Sequence, residues 1–173
     1  KTVAASGAQV LALRVTYVGE LGFELHVAKD GALTLYDALW DAGREHGLAN
    51  AGYRAVSSLR LEKQYLYWSA DITPDYSPLE AGLGFCVAWN KGDFIGRAAL
   101  EKQKRDGVKQ RLRWFSIPGR VPVHGGEAIL SAGKPVGLTT SAGYGYTVGK
   151  SILCGYLGPE DWDARAVEIE AFG

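Results

Sequence analysis

The chain has 173 residues, 47% of them hydrophobic and 22% charged, with a formal net charge of zero. That size and composition suit one or two globular units with a real core, and a neutral chain lacks the basic footprint of a nucleic-acid binder. No apolar run approaches the ~18 residues that span a bilayer, no signal-peptide pattern opens the chain, and the interrupted basic cluster Lys102, Lys104, Arg105 reads as a solvated face.

Val10, Ala12, Arg14 and Thr16 alternate with Leu11, Leu13, Val15 and Tyr17, which predicts a strand with both faces largely covered. Gly19-Glu20-Leu21-Gly22 reverses the chain, and Phe23 to Val27 returns as the second strand of a hairpin. A helix follows over Ala32 to His46, with Leu33, Tyr36, Leu39 and Trp40 at helical spacing and Gly47 as its terminator. A second helix runs from Arg54 to Gln64 with Ala55, Leu59 and Leu61 inward. Tyr65 to Ala70 reads as extended, Asp71 to Pro78 as a loop, and Gly84 to Trp89 as an apolar strand. Ile95-Gly96-Arg97 opens a third helix that ends near Gly107.

After Gly107 the texture changes. Arg111, Arg113 and Phe115 alternate with Leu112, Trp114 and Ser116. Strand patterns then recur at Glu127 to Leu130, Pro135 to Thr140, Lys150 to Tyr156 and Ala166 to Phe172. Short strands at regular spacing predict a small antiparallel β-barrel. The expected class is α+β. Residues 1–107 form a mixed α/β subdomain, an antiparallel sheet with helices, and residues 108–173 the barrel.

Cys86 and Cys154 each lie in an apolar run and read as buried free thiols, which favours a reducing compartment. The chain starts at Lys1 and contains no Met, so it reads as a piece of a longer polypeptide. Gly145 to Ser151 has the look of a phosphate loop, but three residues separate its glycines where four are required, and a strand is expected to follow. His26, His46 and His124 are far apart without Cys or Asp at ligand spacing, so no metal site is expected. No Ser-His-Asp or Cys-His arrangement stands out.

The run Thr16 to Leu25 sets an aromatic ring and two carboxylates around two glycines, an arrangement suited to a flat, nitrogen-rich ligand. The chain there reads Tyr17-Val18-Gly19-Glu20-Leu21-Gly22-Phe23-Glu24. Leu59-Arg60-Leu61-Glu62, Asp71-Ile72-Thr73, Pro78-Leu79-Glu80-Ala81-Gly82-Leu83 and the segment Lys91 to Leu100 follow in order. With these five motifs the chain resembles the folate-binding aminomethyltransferase family, whose founding member is the T-protein of the glycine cleavage system. Thr139 to Gly143 and Gly149-Lys150-Ser151 resemble that family's terminal barrel. Leu61-Glu62-Lys63 and the stretch Tyr65 to Ile72 are more similar to the C-terminal folate module of sarcosine and dimethylglycine dehydrogenases and oxidases.

The resemblance implies tetrahydrofolate as cofactor and one-carbon transfer from an amine adduct as the reaction. FAD would be confined to an N-terminal domain absent from this chain, and that preceding part of the polypeptide would be its partner. It implies that Glu24 hydrogen-bonds the pterin and that Tyr17 belongs to the same pocket. Val56 stands where the family has an arginine, and the aspartate near folate N10 is expected upstream of Lys1, so no catalytic residue is assigned here. A mitochondrial matrix or a bacterial cytoplasm is the expected setting. A T-protein fragment is the alternative, as is a non-catalytic regulatory module like that of pyruvate dehydrogenase phosphatase.

The same side chains have plainer readings. Glu24 suits the amino-pyrimidine edge of a pterin, which offers two hydrogens to one carboxylate, or it is an edge-strand surface residue. Tyr17 borders the ligand or fills the core. Glu20 is solvated or bonded to backbone amides. Tyr65, Tyr67 and Trp68 line a cavity or pack in an interior. Arg60 holds the glutamyl tail of folate or pairs with Glu62 next to Lys63.

Overall fold

The computed structural model describes residues 1–172, which divide into two compact units, Lys1–Lys63 and the chain from Gln64 onward. In the first unit β1 (Thr2–Ala5), β2 (Ala8–Leu13) and β3 (Glu24–Val27) form an antiparallel sheet in the order β1-β2-β3. Ser6 and Gly7 both take positive φ, the two-residue turn that matches strand twist. The predicted hairpin is β2 and β3, with Leu13 opposite Glu24 and Val10 opposite Val27, but its first strand ends at Leu13, so Arg14 to Tyr17, expected within it, lie in the connection.

Register sorts the faces. Val3, Val10 and Val27 share one face, where Val10 is buried. Leu11, Leu13, Glu24 and His26 share the other, and all four are exposed. The expectation that both faces of the first strand are covered is therefore wrong. An apolar alternation marks a strand but does not count the layers packed on it.

Helix α1 (Ala32–Gly43) buries Leu35, continues as a 3-10 turn to His46 and stops at Gly47, whose φ of +75° is the left-handed cap expected there. Leu33, Tyr36 and Leu39 stay exposed. Helix α2 (Tyr53–Glu62) buries Ser58, Arg60 and Leu61. Leu61 is inward as expected, whereas Leu59 lies at the surface.

In the second unit, Tyr65 to Ala70 is irregular rather than a strand and ends in a turn, with the N–H groups of Ala70, Asp71 and Ile72 all directed at the Tyr67 carbonyl. Gly84–Cys86 is a 3-10 turn rather than a strand, and it leaves Phe85 and Cys86 exposed. Helix α3 (Arg97–Asp106) falls where expected. The sheet consists of β4 (Arg111–Pro118), β5 (Ala128–Ser131), β6 (Lys134–Gly145), β7 (Lys150–Leu157) and β8 (Glu168–Glu170), antiparallel in the order β4-β7-β6-β5-β8. Ile129, Leu153, Cys154, Tyr156 and Leu157 form its core.

The expected barrel is not closed. Closure requires the outer strands to pair, and β4 and β8 each have one strand neighbour, β7 and β5 respectively. β8 has only three residues, and register shifts at Ile129/Leu130 and Thr139/Ser141 interrupt the ladders of β5 and β6. The correct description is a mixed α/β chain with two antiparallel sheets, the second of them open. No helix among the described residues is long and apolar enough to cross a membrane.

Candidate functional site

The connection from β2 to β3 is clasped rather than loose. Thr16 Oγ1 donates to the Glu20 carbonyl at 3.0 Å, and Lys63 Nζ meets Glu20 Oε1 at 3.0 Å. Gly19 has φ of +72°, and a Cβ there would lie 2.5 Å from Lys63 Cγ, so glycine is required on both counts. Glu20 is thus an ion-pair partner and not simply a solvated turn residue. The pair is exposed and contributes little energy by itself; its effect is to tie the turn to the end of α2. This gives a physical role to Lys63 at the end of the Leu61-Glu62-Lys63 motif.

Glu24 opens β3 on the open sheet face. Its side chain is 54% exposed and Oε2 lies 3.3 Å from His26 Nε2. Leu13 stands directly opposite and Leu11 faces His26, so a reachable carboxylate borders apolar surface on a paired strand. Such a group can accept two parallel N–H donors from a planar ligand while the ring covers the leucines.

Tyr17 lies in the clasped connection and is half-buried. Arg60 is only 5% exposed, which favours a structural guanidinium over one holding a solvated ligand tail. Val56 is half-buried on α2. Tyr17, Glu24 and Arg60 all belong to the first unit and Tyr65 to the second. Tyr65 and Trp68 are exposed and Tyr67 is half-buried.

Sequence reasoning missed the buried polar cluster of the second unit. Asp71 is fully buried. Its Oδ1 accepts from Thr140 Oγ1 at 2.6 Å and Cys154 Sγ at 3.3 Å, and its Oδ2 from the Tyr67 N–H at 2.8 Å. The Tyr156 hydroxyl donates to the Asp71 carbonyl at 2.8 Å, and its ring stacks on Tyr76 at 3.8 Å between centroids. Burial, then the Asp71 carboxylate, pushes the Cys154 thiol up to about 12. Burial, with Tyr76 and Asp71 adding to it, also raises the Tyr156 phenol. The one available signal was the polar Asp71 and Thr140 within two otherwise structural motifs.

The remaining motifs act as staples. Ser77 and Glu80 form a reciprocal cap, with the Ser77 N–H donating to Glu80 Oε2 at 2.9 Å and the Glu80 N–H to Ser77 Oγ at 3.1 Å. Arg97 Nη1 donates to the carbonyls of Trp89 at 2.9 Å and Gly92 at 2.6 Å, closing the turn before α3. Gly149-Lys150-Ser151 runs into β7, and the buried Ser151 hydroxyl accepts the Val121 N–H at 2.8 Å. Burial raises the Glu127 carboxyl, but the Thr139 hydroxyl and the N–H groups of His124 and Gly125 outweigh it and hold the group below its ordinary range.

An open concavity of about 630 Å³ in the second unit is lined by Leu100, Gln103, Val108, Lys109 and Pro159 among others, and by none of the residues singled out for a ligand. Its polar lining comprises Ser77, Lys102, Gln103, Asp106 and Lys109, of which Lys102 and Asp106 pair with each other on α3. Among the described residues no three His, Cys, Asp or Glu gather as a metal site. Cys154 is buried as expected, whereas Cys86 is exposed, and both are free thiols.

Comparison with known proteins bears on this arrangement. The family model described as the GCVT N-terminal domain matches residues 1–91, and that described as the glycine cleavage T-protein C-terminal barrel domain matches residues 110–173. Mitochondrial sarcosine dehydrogenase of Mus musculus is 49% identical over 156 residues, which is 90% of this chain and 17% of that protein. Mitochondrial dimethylglycine dehydrogenase of Homo sapiens is 40% identical across 100% of this chain and 20% of its own length. An aminomethyltransferase of Halothermothrix orenii is 42% identical over 87% of this chain and 42% of its own.

The crystal structure of glycine cleavage system aminomethyltransferase T from Bartonella henselae superposes with a TM-score of 0.84 at 28% identity, covering 94% of this chain and 45% of that one. The chain therefore spans about a fifth of the dehydrogenases and under half of the aminomethyltransferases. Relatives of both expected settings occur, mitochondrial proteins of mammals and proteins of bacteria. With models matched over both parts of its length, the chain belongs to the glycine cleavage T-protein family and has the domain architecture of an aminomethyltransferase.

Proposed function

We propose that this chain is a tetrahydrofolate-binding module of aminomethyltransferase type, in which a one-carbon unit passes from an amine adduct to tetrahydrofolate. The observation that carries the reading is the Glu24 carboxylate, reachable on a paired strand and bordered by Leu11 and Leu13. Tetrahydrofolate supplies the nucleophilic nitrogens. The protein orients a flat ring and holds it against the adduct, an effect of proximity more than of acid–base strength. Glu24 accepts the amino-pyrimidine hydrogens, Tyr17 borders the ring, and Arg60 acts on the glutamyl tail or supports α2. Residues 1–107 then belong to the folate-binding domain and 108–173 to the C-terminal one. The proton acceptor near N10 lies in a preceding part of the polypeptide.

Both family descriptions and the solved relative carry the T-protein's name, so a T-protein host has the most direct support. The 49% identity to sarcosine dehydrogenase supports a second host, a flavoprotein whose FAD sits in another domain. The test is calorimetry of tetrahydrofolate binding to the full-length protein and its Glu24→Gln variant. Loss of one charge-assisted pair weakens binding by about 10- to 100-fold with folding intact. Unchanged affinity would reject the role given to Glu24. Binding without turnover would identify the regulatory reading.

A further inference from the structure

The concavity beside α3 has a wall that the fold leaves chemically unfinished. Its volume of about 630 Å³ lies in the range of small-molecule sites, and every residue lining it belongs to the second unit. Leu100, Val108 and Pro159 supply apolar lining. Gln103, from α3, lines it too, and its Oε1 is buried with no hydrogen-bond partner. An acceptor in that state costs free energy until a donor reaches it. Swinging the Gln103 amide into the concavity gives up no bond at that oxygen, because it makes none.

The charges of the wall do not cancel. Lys102 pairs with Asp106, which Arg105 also meets at 3.3 Å, so the acid is already engaged. Lys109 is exposed, and no acid among the described residues pairs with it. One uncompensated ammonium remains. Ser77 Oγ accepts the Glu80 N–H at 3.1 Å, which leaves its own proton to give.

These groups define a ligand by its chemistry. An anionic head answers Lys109 and the Ser77 hydroxyl. An N–H answers Gln103, and an apolar side group covers Leu100, Val108 and Pro159. We propose that this concavity binds a carboxylate carrying an adjacent amide N–H and an apolar side group, the chemistry of an N-acylated apolar amino acid and of the last residue of a peptide. The proposal does not depend on the folate reading, whose carrying residue, Glu24, lies in the first unit.

The test is ligand-observed saturation-transfer NMR on the full-length protein with three probes. N-acetyl-leucine carries all three features, N-acetyl-leucinamide lacks the charge, and isocaproate lacks the N–H. A ligand of about a dozen heavy atoms binds in the millimolar range at ordinary efficiency. N-acetyl-leucine should bind about three- to tenfold more tightly than either of the others. Lys109→Gln should remove its advantage over the amide and leave N-acetyl-leucinamide affinity unchanged. Gln103→Leu should remove its advantage over isocaproate and leave isocaproate affinity unchanged.

Both substitutions suit the fold, since Lys109 is exposed and Gln103→Leu removes an unpaired buried oxygen. If Gln103→Leu does not fold, Lys109→Gln decides alone. No saturable binding of N-acetyl-leucine in the millimolar range would overturn the proposal. So would equal affinity for the three probes, which would reduce the concavity to an apolar surface, or variants that weaken all three alike. A longer peptide ending in leucine distinguishes the sources. Tighter binding than N-acetyl-leucine supports a chain end as the ligand, and weaker binding supports a free acylamino acid.

Discussion

Replacing Ser151 with alanine separates a structural hydroxyl from a phosphate-binding one. Ser151 is fully buried. Its Oγ accepts the Val121 N–H at 2.8 Å and turns its own proton to the carbonyl of Gly119 at 3.1 Å or Val121 at 3.2 Å. After Ser151→Ala the Gly119 carbonyl still receives the Ala N–H, since that bond is a backbone one of 3.0 Å. The Val121 carbonyl keeps the Val123 N–H at 2.9 Å. Only the Val121 N–H is orphaned, and a buried backbone donor without a partner costs about 1–3 kcal/mol.

The expected loss from that single orphan is therefore about 2 kcal/mol. It should appear in urea unfolding as a lower midpoint with an unchanged slope, and adding a nucleoside triphosphate should move neither the wild-type nor the variant midpoint. A loss below about 0.5 kcal/mol would show that the hydroxyl does not satisfy Val121. Nucleotide-dependent stabilisation of the wild type that vanishes in the variant would refute the staple and restore the phosphate loop.

Glu127 gives a pH prediction with a definite sign. Its folded-state pKa lies below the ordinary 4.5, so its contribution is present above that value and is lost as the pH falls through the folded-state pKa. The stability gap between wild type and Glu127→Gln should hold constant above pH 4.5 and narrow below it, as followed by denaturation at a series of pH values. A gap that widens in acid would reverse the assignment. The two cysteines should also separate. Cys86 is exposed, while Cys154 is buried with its thiol pushed up to about 12. A thiol reagent at pH 8 should modify the native chain at Cys86 alone, with Cys154 reacting only after denaturant is added; peptide mass mapping distinguishes the two.

How far the fold could be read depended on how local each determinant was. The hairpin, the three helices and the five C-terminal strands were legible because turn glycines and apolar spacing act within a few residues. Gly84 to Trp89 was misread because Phe85 and Cys86 are apolar yet point outward in a 3-10 turn. Burial was misjudged on β2 because Leu11 and Leu13 look like core residues in one dimension.

Closure of the C-terminal sheet was not legible at all. It depends on whether β4 meets β8, a pairing between strands some fifty residues apart that no local pattern encodes. Of the site, Glu24 was placed on its strand correctly, but its companions Leu13 and His26 emerge only from the register. Asp71 was legible as a motif member, while its partners Thr140 and Cys154 lie far along the chain.

The motifs that carry the family likeness turn out to be mostly devices for folding. Gly19 and Lys63 clasp the hairpin turn, Ser77 and Glu80 cap one another, Arg97 closes the turn before α3, and Ser151 holds Val121. Each would be retained by a relative that keeps the fold and has lost the chemistry, so their presence discriminates scaffold and not activity. The residues able to discriminate are those with exposed chemistry that no staple consumes, with Glu24 on the open face first among them. If Glu24 holds the pterin edge as proposed, a relative with an intact clasp and cap but an apolar residue at position 24 would fold alike and leave that edge unrecognised. Sequence comparison aimed at function should therefore weigh that position above the motifs that surround it.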